Sequence, residues 1–154
     1  MKADRVQRRV ASAVLALYLV ALLLIAFWPS PVDRGLSGPT GPIDRFVAWC
    51  GRHGLPWMSY GIIEWSANVI YFVPFGVLAC VLVGLRRWWL AVLIAAGASV
   101  VIELGQAAFL AERTASGLDV LANSLGALCG ALIAVWAGRA PVRMPKAERA
   151  AEAA

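Results

Sequence analysis

The sequence predicts an all-α, polytopic membrane protein in which four transmembrane helices pack as a small bundle. Three observations lead to this prediction: an apolar fraction of 61%, a charged fraction of 15%, and four long runs almost free of charge. Soluble domains are roughly half apolar and about one-quarter charged. A single water-soluble core could not bury so much apolar surface in a chain of 154 residues, so the composition indicates that a bilayer covers it.

The four runs are long enough to span a bilayer, since about 20 residues at about 1.5 Å each cross about 30 Å of hydrocarbon. The first is too long for a signal peptide and has no small-residue cleavage site, which predicts a retained anchor. The predicted division is a cytoplasmic basic N-terminus at 1–9, a first transmembrane helix at 10–28, an outer loop at 29–65, three further transmembrane helices at 66–138, and a cytoplasmic tail at 139–154.

The outer loop carries an amphipathic pattern. Apolar residues recur there at helical spacing, opposite charged residues: Ile43, Phe46, Val47 and Cys50. This spacing indicates a short helix that lies on the membrane surface.

The distribution of basic residues predicts the orientation. Ten of the 14 Lys and Arg residues fall before the first span, between the second and third, or after the fourth. By the positive-inside rule, both termini and the Arg86-Arg87 turn lie in the cytoplasm. The same clustering beside apolar runs, with no basic face interleaved with aromatic residues, argues against a nucleic-acid partner.

Glu103 interrupts the third apolar run. A carboxyl group at membrane depth costs roughly 2.5–3.5 kcal/mol on insertion scales. Ser99, Glu103 and Gln106 follow one another at spacings of 4 and 3, which places them on one polar stripe. Such a stripe faces neighbouring helices rather than lipid.

The fourth run carries a second stripe of polar and small residues at spacings of 4, 3 and 4: Asp119, Asn123, Gly126 and Gly130. Its glycines form a GxxxG, which lets a neighbouring backbone approach closely. Ser116 and Asp119 also fit a capping box, in which Ser116 caps the helix and Asp119 accepts from the Ser116 amide.

Alternating helix directions bring six polar residues together at the outer side of the bundle: Asn68, Glu103, Gln106, Arg113, Asp119 and Asn123. Asn68 is expected to open the second span, and Arg113 is the outer cation within easy reach of both acids. One interpretation is internal hydrogen bonding between helices. The other, which we favour, is a functional polar pocket open to the outer leaflet, because these acids and side-chain amides exceed what assembly requires. A solitary histidine and the cysteine spacing predict no metal site.

The segment from Asn68 to Gly76 resembles the N-x-x-x-F-x-P-x-G opening of the VanZ-like family of bacterial membrane proteins, with Pro74 and Gly76 at its last fixed positions. The ordered series Glu103-x-x-Gln106, Arg113, Asp119-x-x-x-Asn123-x-x-Gly126 is similar to the rest of the family pattern. The resemblance covers about 66–130. It implies a place in the bacterial cell membrane and a link to teicoplanin-type glycopeptide resistance, with which the family founder is associated, but no settled reaction. We assign Pro74, Gly76, Gly126 and Gly130 to helix packing.

Three functions remain open from the sequence. The first is a cell-envelope protein that binds or remodels an amphiphilic or lipid-linked molecule, with the polar cluster contacting its head group. The second is a small intramembrane enzyme that uses Glu103 or Asp119 as general acid or base, although the sequence offers no convincing nucleophile or cofactor motif. The third is a structural partner of a membrane complex. Protein partners cannot be inferred from the residues.

Overall fold

The computed structural model describes residues 2–28, 41–110 and 115–139. Within those ranges the chain forms α-helices and one short 3₁₀ turn, with no strand. The helices are α1 (Lys2–Ala26), α2 (Pro42–Arg52), α3 (Tyr60–Val83), α4 (Trp88–Phe109) and α5 (Gly117–Arg139), and the 3₁₀ turn Leu85–Arg87 joins α3 to α4. All but α2 are long and apolar enough to cross a membrane. The predicted all-α, four-span fold is confirmed.

The closest packing in the bundle lies between α3 and α5, which share the most extensive interhelical contact. A Cβ atom at Gly126 would overlap the Val69 carbonyl of α3, and one at Gly130 would overlap the Val73 carbonyl. We call the contact of Gly76, Gly126 and Gly130 with the facing backbone the glycine seam.

The other half of the seam is Gly76 of α3, where a Cβ atom would overlap the Ala127 carbonyl of α5. Small residues at a helix interface allow this approach, because dispersion contacts rather than the hydrophobic effect hold helices together in lipid. Pro74, which the sequence analysis grouped with the packing glycines, lies on the exposed face of α3 instead.

Small side chains also dominate the contact of α4 with the rest of the bundle. Ala91, Ala95 and Ser99 of α4 are fully buried. The two alanines belong to a core in which Phe72 and Phe75 of α3 supply the largest side chains beside further alanines of α5. Close packing of these three helices therefore leaves little room between them on this side.

The first helix is attached more loosely. Among the α1 side chains that the structure describes, Ala11 alone is buried. Two hydrogen bonds tie α1 to α3: Arg8 Nη2 donates to the Leu82 carbonyl over 2.8 Å, and the Tyr18 hydroxyl donates to the Tyr71 carbonyl. Tyr71 precedes Pro74 by one turn, so the hydroxyl meets a carbonyl in the turn that the proline disturbs.

The chain therefore runs up and down, and its basic residues gather at one end. The Arg8 contact sets the start of α1 beside the end of α3, and Leu85 packs against Gly138 near the end of α5. Arg86 and Arg87 lie in the 3₁₀ turn that joins α3 to α4, at the same end. The described parts of all three predicted cytoplasmic clusters thus share one end of the bundle, which we call the basic end.

The outer loop contains the helix that the amphipathic pattern predicts. α2 begins with Pro42 at its first position and contacts α3. Cys50 is buried, whereas Phe46, which the pattern placed on the same face, is 49% exposed. Phe46 stacks on Trp49, and Trp49 stacks on His53 with ring centroids 4.2 Å apart. Aromatic rings thus line part of the exposed side of α2.

One expected position is wrong. The sequence analysis placed Asn68 at the opening of the second span, but α3 begins at Tyr60, with the Ser59 side chain accepting from the Ile62 amide. Asn68 therefore lies eight residues inside the helix, about 12 Å along its axis. The charge of Glu64 suggested that the span starts after this residue, but Glu64 is an exposed residue close to the N-terminal end of α3.

Candidate functional site

A cavity of about 400 Å³ opens between α1 and the other long helices, at the end opposite the basic end. Its lining has two chemically distinct parts. α1 contributes Ala21, Leu22 and Ile25 together with Tyr18. Helices α3, α4 and α5 contribute all the carboxyl and amide side chains of the lining, together with apolar residues such as Ile63, Phe72 and Ile102.

Five of the six polar residues singled out in the sequence line this cavity: Asn68, Glu103, Gln106, Asp119 and Asn123. The sixth, Arg113, lies outside the described residues. Glu103, Gln106 and Asn123 are each 6% exposed. Residues of both polar stripes therefore line one partly open cavity.

Asp119 and Asn68 connect α5 to α3. The Asn68 Nδ2 atom donates to Asp119 Oδ1 over 2.9 Å. The Asp119 backbone amide donates to Ser116 Oγ over 3.3 Å, so Ser116 caps α5 as the sequence predicts. The Asp119 carboxylate does not complete the capping box, because the Ser116 amide has another acceptor.

That acceptor is Glu103. The Ser116 backbone N–H donates to Glu103 Oε2 over 2.7 Å, so a carboxylate on α4 holds the start of α5. The prediction that the Ser116 amide donates to the Asp119 carboxylate is therefore wrong. The sequence motif could not reveal this, because a carboxylate from another helix can satisfy the same amide. A charged acceptor at a helix start also interacts favourably with the helix dipole.

The other two amide side chains of the cavity, Gln106 and Asn123, also hold neighbouring helices. Gln106 Nε2 donates to the Ala26 carbonyl over 2.9 Å, which fastens the end of α1 to α4. Asn123 Nδ2 donates to Ser99 Oγ over 2.7 Å. The remaining Asn123 oxygen, Oδ1, is buried and accepts no hydrogen bond from the part of the chain that the structure describes. An unsatisfied buried acceptor is costly unless a ligand or water supplies a donor.

Sequence reasoning missed four polar lining residues: Tyr18, Tyr60, Glu64 and Tyr71. A signal was available for Tyr18, because a phenolic hydroxyl in the middle of an apolar run requires a hydrogen-bond partner. Glu64 lies just before the second apolar run and was taken for a loop residue. Among the residues with described coordinates, no cluster of three His, Cys, Asp or Glu side chains is arranged to hold a metal ion.

The fold and the cavity together define a class: a multi-pass helical membrane protein with a pocket that combines apolar residues with carboxyl and amide groups. A protein-family model described as VanZ/LLP1 matches residues 15–138, and the chain belongs to the VanZ/LLP1 family. The match starts inside α1, so it extends beyond the part of the chain in which the sequence motifs lie. Neither the curated proteins nor the solved structures contain a match.

Proposed function

We propose that this protein binds or remodels an amphiphilic or lipid-linked molecule of the bacterial cell envelope. The observation that carries the proposal is the divided lining of the 400 Å³ cavity. An acyl chain can lie against the apolar side chains of α1, while a head group meets the carboxyl and amide groups of α3, α4 and α5. Neither half of such a lining suits a wholly polar or a wholly apolar ligand.

The charge of the lining favours a head group that donates hydrogen bonds. Glu64, Glu103 and Asp119 line the cavity, and no Lys, Arg or His is among its described lining residues. Ionised carboxylates only accept hydrogen bonds, so hydroxyl, amide or ammonium groups suit this site better than a phosphate.

The loose attachment of α1 supports a route into the cavity. α1 forms the apolar wall and contributes few buried side chains. Its separation from α3 would open the wall toward lipid at the cost of a few hydrogen bonds. Interhelical hydrogen bonds in membranes contribute only about 0.6 kcal/mol each on average. The proposed ligand thus enters sideways from the bilayer.

The proposed orientation places the basic end in the cytoplasm and the cavity in the outer leaflet of the bacterial cell membrane. It rests on the positive-inside rule and on the gathering of basic residues at one end. A cytoplasm-active reporter fused at the C-terminus or in the Arg86-Arg87 turn should be active, and one fused at about residue 57 should be silent. An active fusion at residue 57 would reverse the orientation.

The direct test of the proposed function is extraction of the purified protein and identification of co-purified molecules by mass spectrometry. We expect one amphiphile in near-stoichiometric amount. In cells, deletion of the gene should expose an envelope phenotype, such as lowered teicoplanin tolerance, that the intact chain restores. Purification with only the bulk lipid composition of the membrane would count against a specific ligand.

An intramembrane enzyme is the second candidate, because Glu103 and Asp119 line the same cavity and could exchange protons with a bound molecule. An enzyme should lose turnover but keep its ligand when Glu103 becomes Gln. A binding protein should lose the ligand. A structural partner of a larger complex should tolerate the change in both respects.

A further inference from the structure

A second pocket lies at the basic end, which is the end of the bundle opposite the cavity. It has a volume of about 350 Å³ and lies between the 3₁₀ turn, the start of α4 and the end of α5. Its lining combines two guanidinium groups, one indole and two apolar side chains: Arg86, Arg139, Trp88, Leu85 and Val135. We call it the basic pocket.

The turn that builds this pocket depends on glycine. Gly84 ends α3 with a φ of 96°, a conformation that side chains other than glycine adopt rarely. The Arg87 amide then donates to the Gly84 carbonyl over 2.8 Å, which closes the turn. A Cβ atom at Gly138 would overlap Leu85 Cδ1, so the turn packs directly on α5. This contact sets Arg86 of the turn and Arg139 of α5 around one space.

No described residue neutralises the positive charge of the basic pocket. Neither Arg86 nor Arg139 forms an ion pair with any residue that the structure describes. The described carboxylates of the long helices, Glu64, Glu103 and Asp119, line the cavity at the far end. Guanidinium groups bind phosphate through paired hydrogen bonds, and two of them facing one space favour a phosphate ligand.

The remaining lining points to a lipid rather than to a free anion. Trp88 begins a membrane-spanning helix, and tryptophan favours the depth of lipid head groups. Leu85 and Val135 add an apolar wall beside the two arginines. The apolar wall would contribute nothing to binding of a soluble phosphate compound. It can contact the first carbons of an acyl chain or a glycerol backbone. Basic pockets between transmembrane helices commonly take lipid phosphates.

We infer that the basic pocket binds the phosphate of an anionic membrane phospholipid, with Arg86 and Arg139 on the phosphate and Trp88 beside the glycerol backbone. This inference does not depend on the function proposed for the cavity. It requires no reaction and no additional cofactor.

The test uses the full chain in neutral maltoside micelles and measures lipid adducts by native mass spectrometry. Phosphatidylglycerol should bind with 1:1 stoichiometry and at least about tenfold more tightly than phosphatidylcholine of the same acyl chains. Arg86→Gln and Arg139→Gln should each weaken phosphatidylglycerol binding by about tenfold, the loss expected for one charge-assisted hydrogen bond. Arg86→Lys, which keeps the charge but loses the paired donors, should fall between.

Arg87 supplies a matched control. It is the neighbour of Arg86 in the same turn, is exposed, and does not line the basic pocket. Arg87→Gln removes the same charge and should leave the affinity nearly unchanged. If Arg87→Gln weakened phosphatidylglycerol binding as much as Arg86→Gln, general attraction to a positively charged surface would explain the binding and the inference would be overturned.

Two further results would also overturn the inference. Equal affinity for phosphatidylcholine would remove the role of net negative charge. Binding of glycerol phosphate as tightly as phosphatidylglycerol would show that the site takes a soluble anion. All these side chains are exposed or half-buried, and retention of the native elution volume and helical circular dichroism will show that the variants fold.

Discussion

The glycine seam and the cavity are neighbouring regions of α3 and α5 that differ in what holds them. The seam joins α3 to α5 through glycines so close to facing carbonyls that no side chain fits. The cavity lies toward α1, whose side chains are mostly exposed or half-buried and which is joined to the bundle by hydrogen bonds as well as by apolar contacts. The glycines that bring α3 and α5 together are thus distinct from the polar residues that line the cavity.

This separation explains how polar groups are tolerated at membrane depth. Each predicted cavity residue with described coordinates makes at least one hydrogen bond, and the helices that carry them are already held by the seam. The polar side chains therefore need not supply the main packing energy. Asn123 Oδ1, which accepts no hydrogen bond from the described residues, shows that satisfaction is incomplete without a further donor.

The largest effect is expected in the seam. Gly126→Ala forces a Cβ atom against the Val69 carbonyl, so α3 and α5 must move apart, which costs about 1–3 kcal/mol or more for a well-packed contact. Unfolding in mixed micelles should show this loss. Gly97→Ala on α4 is the control, because no atom lies near its new methyl group and alanine favours helix. Equal stability of the two variants would refute the seam.

An intermediate effect is expected from Arg113 and Glu103. If Arg113 neutralises Glu103, as the sequence predicts, Arg113→Gln leaves an uncompensated acid and lowers the yield of folded protein. Adding Glu103→Gln should recover part of that loss, with a coupling energy of roughly 0.5–3 kcal/mol. A double-mutant cycle on unfolding free energies measures it. Strict additivity would rule out the pair.

A smaller effect is expected where α1 docks. Tyr18→Phe deletes the hydroxyl that donates to the Tyr71 carbonyl and should lower the unfolding free energy by about 0.6 kcal/mol. Tyr71→Phe is the matched control, because it removes an identical hydroxyl and keeps the backbone acceptor. If Tyr71→Phe destabilised the protein more than Tyr18→Phe, the hydrogen bond would not be what holds α1.

Much of the fold was predictable because bilayer thickness and helical rise leave few choices. The uncharged runs indicated four spans, and the 3-4 spacing of Ser99, Glu103 and Gln106 placed them on one face. All three are buried. The amphipathic pattern likewise indicated a helix where α2 lies.

The unpredicted features depend on contacts between distant residues. The bond from the Ser116 amide to Glu103 joins two helices, and no local motif encodes it. The docking of Tyr18 on Tyr71 requires knowing which face of α1 meets α3, and that face carries ordinary apolar residues. A charge such as Glu64 marks the end of an uncharged run but not the end of a helix, so it misplaced the start of α3.

We propose that the charges of Glu103 and Asp119 serve to bind a head group, while their hydrogen bonds to the Ser116 amide and Asn68 need only an oxygen acceptor. Glu103→Gln keeps an oxygen that can accept from the Ser116 amide, and Asp119→Asn keeps an acceptor for Asn68, so both variants should fold nearly as well as the parent chain. Asp44→Asn on α2 is the control, because Asp44 does not line the cavity.

The most direct measurement is the amount of co-purifying amphiphile per mole of folded protein in these variants and the parent chain. The account predicts equal folded yield in all four, a loss of about tenfold in bound amphiphile for Glu103→Gln and Asp119→Asn, and no loss for Asp44→Asn. Bound amphiphile at the parent level in both cavity variants would contradict it and leave a structural role for the polar cluster.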